Sequence, residues 1–251
     1  MTLLITGAAG TIGTHLATSL ADHGVPLRLL DRRPLPHPPA GAEIVSADLR
    51  DLPAVEQATA GSSAIIHLAG VTQEGPFAEM VGHNITATHH VLEAARRQHV
   101  PRVVLASSHH VIGLTRIGDP APALATDSFY AVSKITAEAL GHLYAQRNRP
   151  DRRRCAHRQL PTTTQRTPPP RHLAQPPRRH HPALQRRHPA HPQPFLTLYG
   201  TSDTPETWWP RTGWGSLDYQ PADSIDHHTT PAPLPDRFVG GVFADHDLPA
   251  S

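Results

Sequence analysis

Short apolar runs alternate with stretches of helical spacing over the first 150 residues. "TLLITG" ends at Gly7, "PLRLLD" at Asp31, "AEIVSADLRD" reaches Asp48-Leu49, "SAIIHLAG" ends at Leu68-Ala69-Gly70, and "PRVVLASSHHVIG" carries a fifth run. Runs this short and continuous predict strands buried on both faces, which are parallel strands. Between them, "THLATSLADHG" and residues about 53–60 and 77–98 have helical periodicity, and "SFYAVSKITAEAL" opens a further helix. This alternation predicts an α/β chain with a Rossmann-type doubly wound parallel sheet. Ligands in such sheets lie at the carboxyl ends of the strands. The residues that end each run are therefore the candidates for chemistry.

The first strand runs into "GAAGTIG", with glycines at 7, 10 and 13, and then into a helix. This is the layout of a dinucleotide pyrophosphate site. Gly7 allows the tight turn, Gly10 lets the backbone approach the phosphates, and Gly13 lets the helix pack on the strand. Thr11 and Ile12 open that helix, whose N-terminus offers backbone N–H groups and the positive dipole end. Asp31 can accept hydrogen bonds from ribose hydroxyls and repel a 2′-phosphate, which favours NAD. Arg32 and Arg33 follow at once and could accommodate NADP instead. Asp48, Leu49, Leu68, Ala69 and Gly70 complete the expected cofactor edge.

Tyr130 and Lys134 are four apart on a helix and share a face. An adjacent ammonium favours the phenolate and is expected to lower the tyrosine pKa. Ser108, at the end of the fifth strand, could hold a substrate oxygen. Such a trio suits proton removal from an alcohol while hydride leaves for nicotinamide.

The 251 residues suffice for one α/β domain with a small lobe. The start "MTLLITGAAG" lacks the basic region of a signal peptide, and no apolar run approaches membrane-spanning length. The single Cys155 excludes an intramolecular disulfide, and a cytoplasmic location is expected. The pI near 9.0 suggests a nucleic-acid or membrane partner at first sight. Ten of the 23 Lys and Arg, and none of the 21 Asp and Glu, fall within residues 152–194. Outside that tract the chain is acidic, so neither partner is expected. A homo-oligomer is compatible with the composition.

"TGAAGTIG", "ADL", "HLAG", "LASSHHVIG" and "YAVSK", in this order, resemble the extended short-chain dehydrogenase/reductase family, also called the NAD-dependent epimerase/dehydratase family. "LASSHHVIG" and the tail "TPETWW…RFVGGVF" resemble its bacterial uronate dehydrogenase branch. The likeness covers residues 1–150 and 195–245. It implies NAD as cofactor, a sugar acid as substrate, and oxidation of a hexuronic acid at its anomeric carbon to an aldarolactone. Tyr130 would be the proton acceptor. Lys134 would tune Tyr130 and bind the nicotinamide ribose, and Ser108 would hold the substrate hydroxyl. Thr72, His109 and His110 would touch the sugar acid. The branch has Ser-Asn-His where this chain has Ser108-His109-His110, so His109 is a departure. A metal is not expected, because no Cys or acid lies at ligand spacing from the histidine pair. A sugar-nucleotide epimerase or dehydratase with the same trio is the second reading, and an NAD-binding pseudoenzyme the third.

The family continues past its Tyr/Lys helix with a strand, an Arg that grips the uronate carboxylate, and a Thr-Trp helix. This chain has the tract instead, and 34 of its 43 residues are Arg, Pro, His, Gln or Leu. All five can be encoded by codons beginning with C, the signature of a displaced frame in a GC-rich gene. Writing "RRRCAHRQLP" with such codons and dropping one base permits Val-Val-Val-Ala-Arg-Ile-Gly-Asn/Ser-Cys. "HLAQPPRRHHPALQRR" treated alike permits Thr-Trp-Leu-Ser-Pro-x-Asp-Asp-Thr-Ile-Arg-Leu-Phe-Asn-Ala. Compensating frame changes or sequencing errors near residues 151 and 193 would restore the missing segment in order. A low-complexity basic arm for nucleic acid lacks the aromatic residues that stack on bases. A proline-rich linker would stay extended. The expected organisation is therefore a cofactor domain over 1–150, the tract over 151–194, and a disrupted substrate lobe with the tail over 195–251. As written, the tract should cost the sheet its sixth strand.

Overall fold

In the computed structural model, five apolar runs become the strands β1 (Thr2–Thr6), β2 (Leu27–Asp31), β3 (Glu43–Ser46), β4 (Ser62–His67) and β5 (Val103–Ser107). The structure describes residues 2–116, 119, 124–147, 155–159 (backbone only), 195–200, 211–221, 238–240 and 244. With β6 (Cys155–Gln159) and β7 (Phe195–Leu196), the strands form one sheet in the order β3-β2-β1-β4-β5-β6-β7. Every neighbouring pair is parallel. The chain starts in the middle, runs outward to β3, and crosses back to β4. The switch between β1 and β4 opens the crevice in which doubly wound sheets bind ligands.

Among the described residues, six α-helices, a π-helix and a 3₁₀ turn accompany the strands. They are α1 (Thr11–Asp22), α2 (Leu52–Thr59), α3 (Phe77–Met80), a π-helix (Val81–Thr86), α4 (Ala87–Arg97), a 3₁₀ turn (His109–Ile112), α5 (Phe129–Arg147) and α6 (Trp214–Leu217). Alternate strand residues feed two separate cores, because successive side chains point to opposite faces. Ile5, Leu29 and Ile66 pack with Ala17 and Leu20 of α1. Leu4, Leu30, Ile65, Val103 and Leu105 pack with Val55 of α2 and Val91 and Leu92 of α4. Covering of both faces explains the apolar run of the inner strands, whereas the edge strand β3 lies largely exposed.

Gly13 shows how closely α1 rides on the β1 turn. A Cβ there would run into the Gly7 carbonyl oxygen and lie 2.7 Å from Ala8 Cα. Both obstacles are backbone and cannot rotate away. Gly13→Ala is therefore expected to destabilise the fold by about 1–3 kcal/mol, as overpacked sites do. Thermal unfolding of the variant checks this, and an unchanged midpoint would show that α1 can shift freely.

The expected loss of the sixth strand does not hold for the first residues of the tract. Cys155–Gln159 lie between β5 and β7, in register from Val103↔Cys155 to Ser107↔Gln159. The physical reason is that ladder bonds belong to the main chain, and residues 155–160 contain no proline to remove a donor. The rest of the tract and the "TPETWW" stretch lie outside the described residues. Farther on, Phe238 bridges Arg116 in antiparallel fashion, and the Trp214 indole N–H donates to the Tyr199 carbonyl at 2.6 Å.

Candidate active site

The glycine turn and the end of β4 meet. Gly7 has φ +73°, and a Cβ there would lie 2.6 Å from Ala69 N and 2.9 Å from the Leu68 carbonyl carbon. Gly70 has φ +159°, which also favours glycine. Two segments assigned separately to the cofactor thus form one wall, and the space along it exists because side chains are absent. Gly10 caps α1 without any side-chain hydrogen bond, and Thr11 and Ile12 lie exposed in the first turn. Backbone N–H groups and the positive helix end therefore face the turn, as a pyrophosphate requires.

Asp31 ends β2 and is buried. Its Oδ2 accepts from Ala9 N at 2.9 Å and its Oδ1 from Arg33 N at 2.9 Å. The Arg33 Nε lies 3.6 Å from the same Oδ1. The carboxylate thus braces the glycine turn and draws Arg33 toward itself, and each oxygen retains a lone pair. Asp48 is bound by the Arg50 guanidinium and backbone, which hold its carboxyl down at about 2. Leu49 is buried and its carbonyl accepts from His90 Nδ1 at 2.9 Å. These residues suit the adenosine half of a dinucleotide.

Ser108, Tyr130 and Lys134 converge at the end of β5. Ser108 caps the 3₁₀ turn, and its hydroxyl hydrogen-bonds the Tyr130 phenol. Lys134 Nζ lies 5.5 Å from the centre of the Tyr130 ring and donates to the Ala106 carbonyl at 3.0 Å. Burial holds the Lys134 ammonium down at about 8. The net effect on Tyr130 is upward, contrary to the sequence expectation. Burial raises its pKa, and the Ser108 hydrogen bond only partly offsets this. A phenol taken out of water loses more from desolvating its anion than these groups return.

The two histidines lie beside this trio. His110 meets the Tyr130 ring edge-on with centroids 5.7 Å apart, and His109 stacks on His110 at 4.2 Å. Burial, and next the neighbouring His110, push the His109 pKa down to about 4, so its ring is neutral near pH 7. Thr72 lies exposed in the loop after β4. Of the sequence candidates, Ser108, His109, His110, Tyr130 and Lys134 form one cluster, whereas Thr72 touches none of them in the described contacts.

Three residues at this site escaped the sequence reading. Asn84 sits in the π-helix, accepts from Val71 N at 2.8 Å and donates to the Val71 carbonyl at 3.0 Å and Ser133 Oγ at 2.9 Å. Glu74 accepts from Phe129 N at 2.9 Å and Tyr130 N at 3.0 Å, so the loop after β4 caps the helix that carries Tyr130. Asp127 binds His110 Nδ1 at 2.7 Å. Only the π-helix carries a general signal, since such wide turns gather at functional sites. Among the described residues, no group of three His, Cys, Asp or Glu could hold a metal, and no helix is long and apolar enough to cross a membrane.

Residues 3–153 match the family described as NAD dependent epimerase/dehydratase. A uronate dehydrogenase of Pseudomonas putida is 33% identical over 265 residues, spanning 96% of this chain and 95% of its own. The solved structure of a glucuronic acid dehydrogenase from Chromohalobacter salexigens superposes with a TM-score of 0.80 at 28% identity, covering 99% of this chain and 98% of its own. A mutant of uronate dehydrogenase from Agrobacterium tumefaciens, complexed with NAD, gives 0.77 at 28% identity, covering 100% and 99%. The family match stops where the tract begins, while the similar proteins span both sides of it. With the glycine wall and the Ser/Tyr/Lys cluster at one edge of a parallel sheet, the chain belongs to the NAD dependent epimerase/dehydratase family.

Proposed function

We propose that the protein is an NAD-dependent oxidoreductase that oxidises a hexuronic acid, galacturonate or glucuronate, at C1 to an aldarolactone. The observation that carries this reading is the Tyr130 phenol hydrogen-bonded to Ser108 beside Lys134, at the strand edge shared with the Gly7–Ala69 wall. The similarity to uronate dehydrogenases across nearly the whole chain supplies the substrate class. When bound, NAD supplies the hydride acceptor. Gly7, Gly10, Thr11, Ile12, Gly13, Asp31, Asp48, Leu49, Leu68, Ala69 and Gly70 would hold it, with Tyr130 and Lys134 at its nicotinamide end.

Tyr130 takes the proton of the C1 hydroxyl as the C1–H bond breaks and the C1 carbonyl forms. Ser108 orients that hydroxyl and stabilises the phenolate, and the Lys134 ammonium favours the same anion. His109, His110 and Thr72 bound the sugar acid. Turnover assayed with galacturonate, glucuronate and a nucleotide-sugar tests the assignment, and oxidation of the nucleotide-sugar alone would replace it with the sugar-nucleotide reading.

We further propose that residues 152–193 come from a displaced frame and stand where the substrate-gripping segment belongs. The end of the family match at residue 153 supports this. The chain as written then binds NAD weakly and oxidises uronates poorly.

Cofactor choice should follow Asp31. NAD is expected to bind at least about tenfold more tightly than NADP, a difference near 1.4 kcal/mol, because a buried carboxylate repels a 2′-phosphate. Asp31→Ala should narrow that gap. Asp31→Asn should narrow it with less damage, since an amide oxygen can still accept from Ala9 N. Titration calorimetry reads both, and NADP binding as tightly as NAD to the unaltered protein would transfer the preference to Arg32 and Arg33.

A further inference from the structure

The chain is built around a carboxylate beyond the Ser/Tyr/Lys cluster. Asp127 exposes no side-chain surface. Its Oδ2 accepts from His110 Nδ1 at 2.7 Å and its Oδ1 from Ser128 Oγ at 2.7 Å. Two glycines from distant parts of the sequence close over it. A Cβ added at Gly113 or at Gly240 would collide with Asp127 Oδ2. Gly240 is brought there by backbone bonds, with Gly240 N donating to the Gly113 carbonyl at 2.8 Å and Val239 N to the Thr115 carbonyl at 2.9 Å. The tail glycine pair in "RFVGGVF" thus has a physical reason, because at its first position only a bare backbone fits against this acid.

His110 connects the carboxylate to the reacting groups. Its backbone N–H donates to Ser108 Oγ at 3.3 Å, and its ring stands edge-on to Tyr130. A ring nitrogen 2.7 Å from a carboxylate carries the proton, so Asp127 fixes both the tautomer and the plane of the imidazole. We infer that Asp127 is a positioning residue that aligns His110 beside Ser108 and Tyr130, and that docking of the C-terminal turn at Gly240 holds Asp127 in place. Only the kinetic consequence rests on the uronate reading. Small displacements of a positioning group cost roughly tenfold to a hundredfold in turnover.

The test uses the full chain with isotope-labelled histidine and reads the Nδ1–H resonance of His110, assigned by its loss in His110→Gln. A hydrogen-bonded resonance is expected in the unaltered protein. Asp127→Ala should abolish it, and Gly240→Ala should abolish or broaden it, with NAD affinity unchanged in both. Adding Gly240→Ala to Asp127→Ala should lower the thermal midpoint far less than Gly240→Ala does alone, because the new methyl then meets no carboxylate and only Gly113 Cα at 3.2 Å remains close. A Gly240→Ala protein that unfolds while the double variant folds is the same result in stronger form. Additive losses of stability, or a Gly240→Ala protein that keeps the resonance, overturn the inference. Absence of uronate turnover in the unaltered protein bears on the substrate reading alone and leaves the resonance result to decide this one. Where turnover is measurable, Asp127→Ala should lower kcat/KM on the uronate at least about tenfold with the NAD dissociation constant unchanged.

Discussion

A protein translated with residues 152–193 in the shifted frame oxidises galacturonate or glucuronate with NAD, and the chain as written does so at least about a hundredfold more slowly. That is the largest effect expected here, and it follows from what a uronate needs. Its carboxylate is best anchored by a charge-assisted, often bidentate arginine contact. The resemblance places that arginine in the segment the tract replaces. Ser108, Tyr130 and Lys134 are assembled in the chain as written, so the end of the site to which we assign proton transfer is intact. A competent end without a positioned substrate loses about 10²-fold or more from misplacement alone. The coding DNA provides the first check. Stop codons in the shifted frame, or the lack of a C-rich wobble position there, would remove the frameshift explanation and leave the tract as evolved sequence.

Tyr130→Phe, made in the protein that turns over, removes the proton acceptor and nothing else of comparable weight. The loss of one positioned base is typically about 10²–10⁴-fold in kcat. The phenol takes no part in the close approach of Gly7 to Leu68 and Ala69, where we propose NAD binds, so NAD affinity should stay close to that of the unaltered protein. Steady-state kinetics with calorimetric NAD binding separates the two. Near-native turnover in the variant would mean that another group accepts the proton and that the Ser108–Tyr130 hydrogen bond is structural.

Much of this architecture is legible in the sequence because parallel strands buried on both faces leave a nearly unbroken apolar signal. Gly7, Asp31 and Ser108 stand at strand ends, where the sheet gathers its ligand residues, and the structure puts them on one edge. Asn84, Glu74 and Asp127 are different. Each acts through a long-range hydrogen bond, to Ser133, to the Phe129 and Tyr130 N–H groups, or to His110. A lone acid in a loop has the same local signature whether it caps a catalytic helix or faces water. The pKa of Tyr130 could not be read from spacing either. A lysine four residues on argues for lowering, but burial sets the direction, and burial is a property of the folded site. The strand at Cys155–Gln159 is the converse case, because an Arg/His-rich composition argues against a strand while the main chain alone can complete the ladder.

The most direct test of the central claim is NADH formation by the frame-restored protein with galacturonate, glucuronate and a nucleotide-sugar offered side by side, the product identified by nuclear magnetic resonance. NADH produced from a uronate, together with a lactone of the corresponding aldaric acid and with nothing from the nucleotide-sugar, is the expected result. NADH from neither uronate, or turnover of the nucleotide-sugar alone, would contradict it.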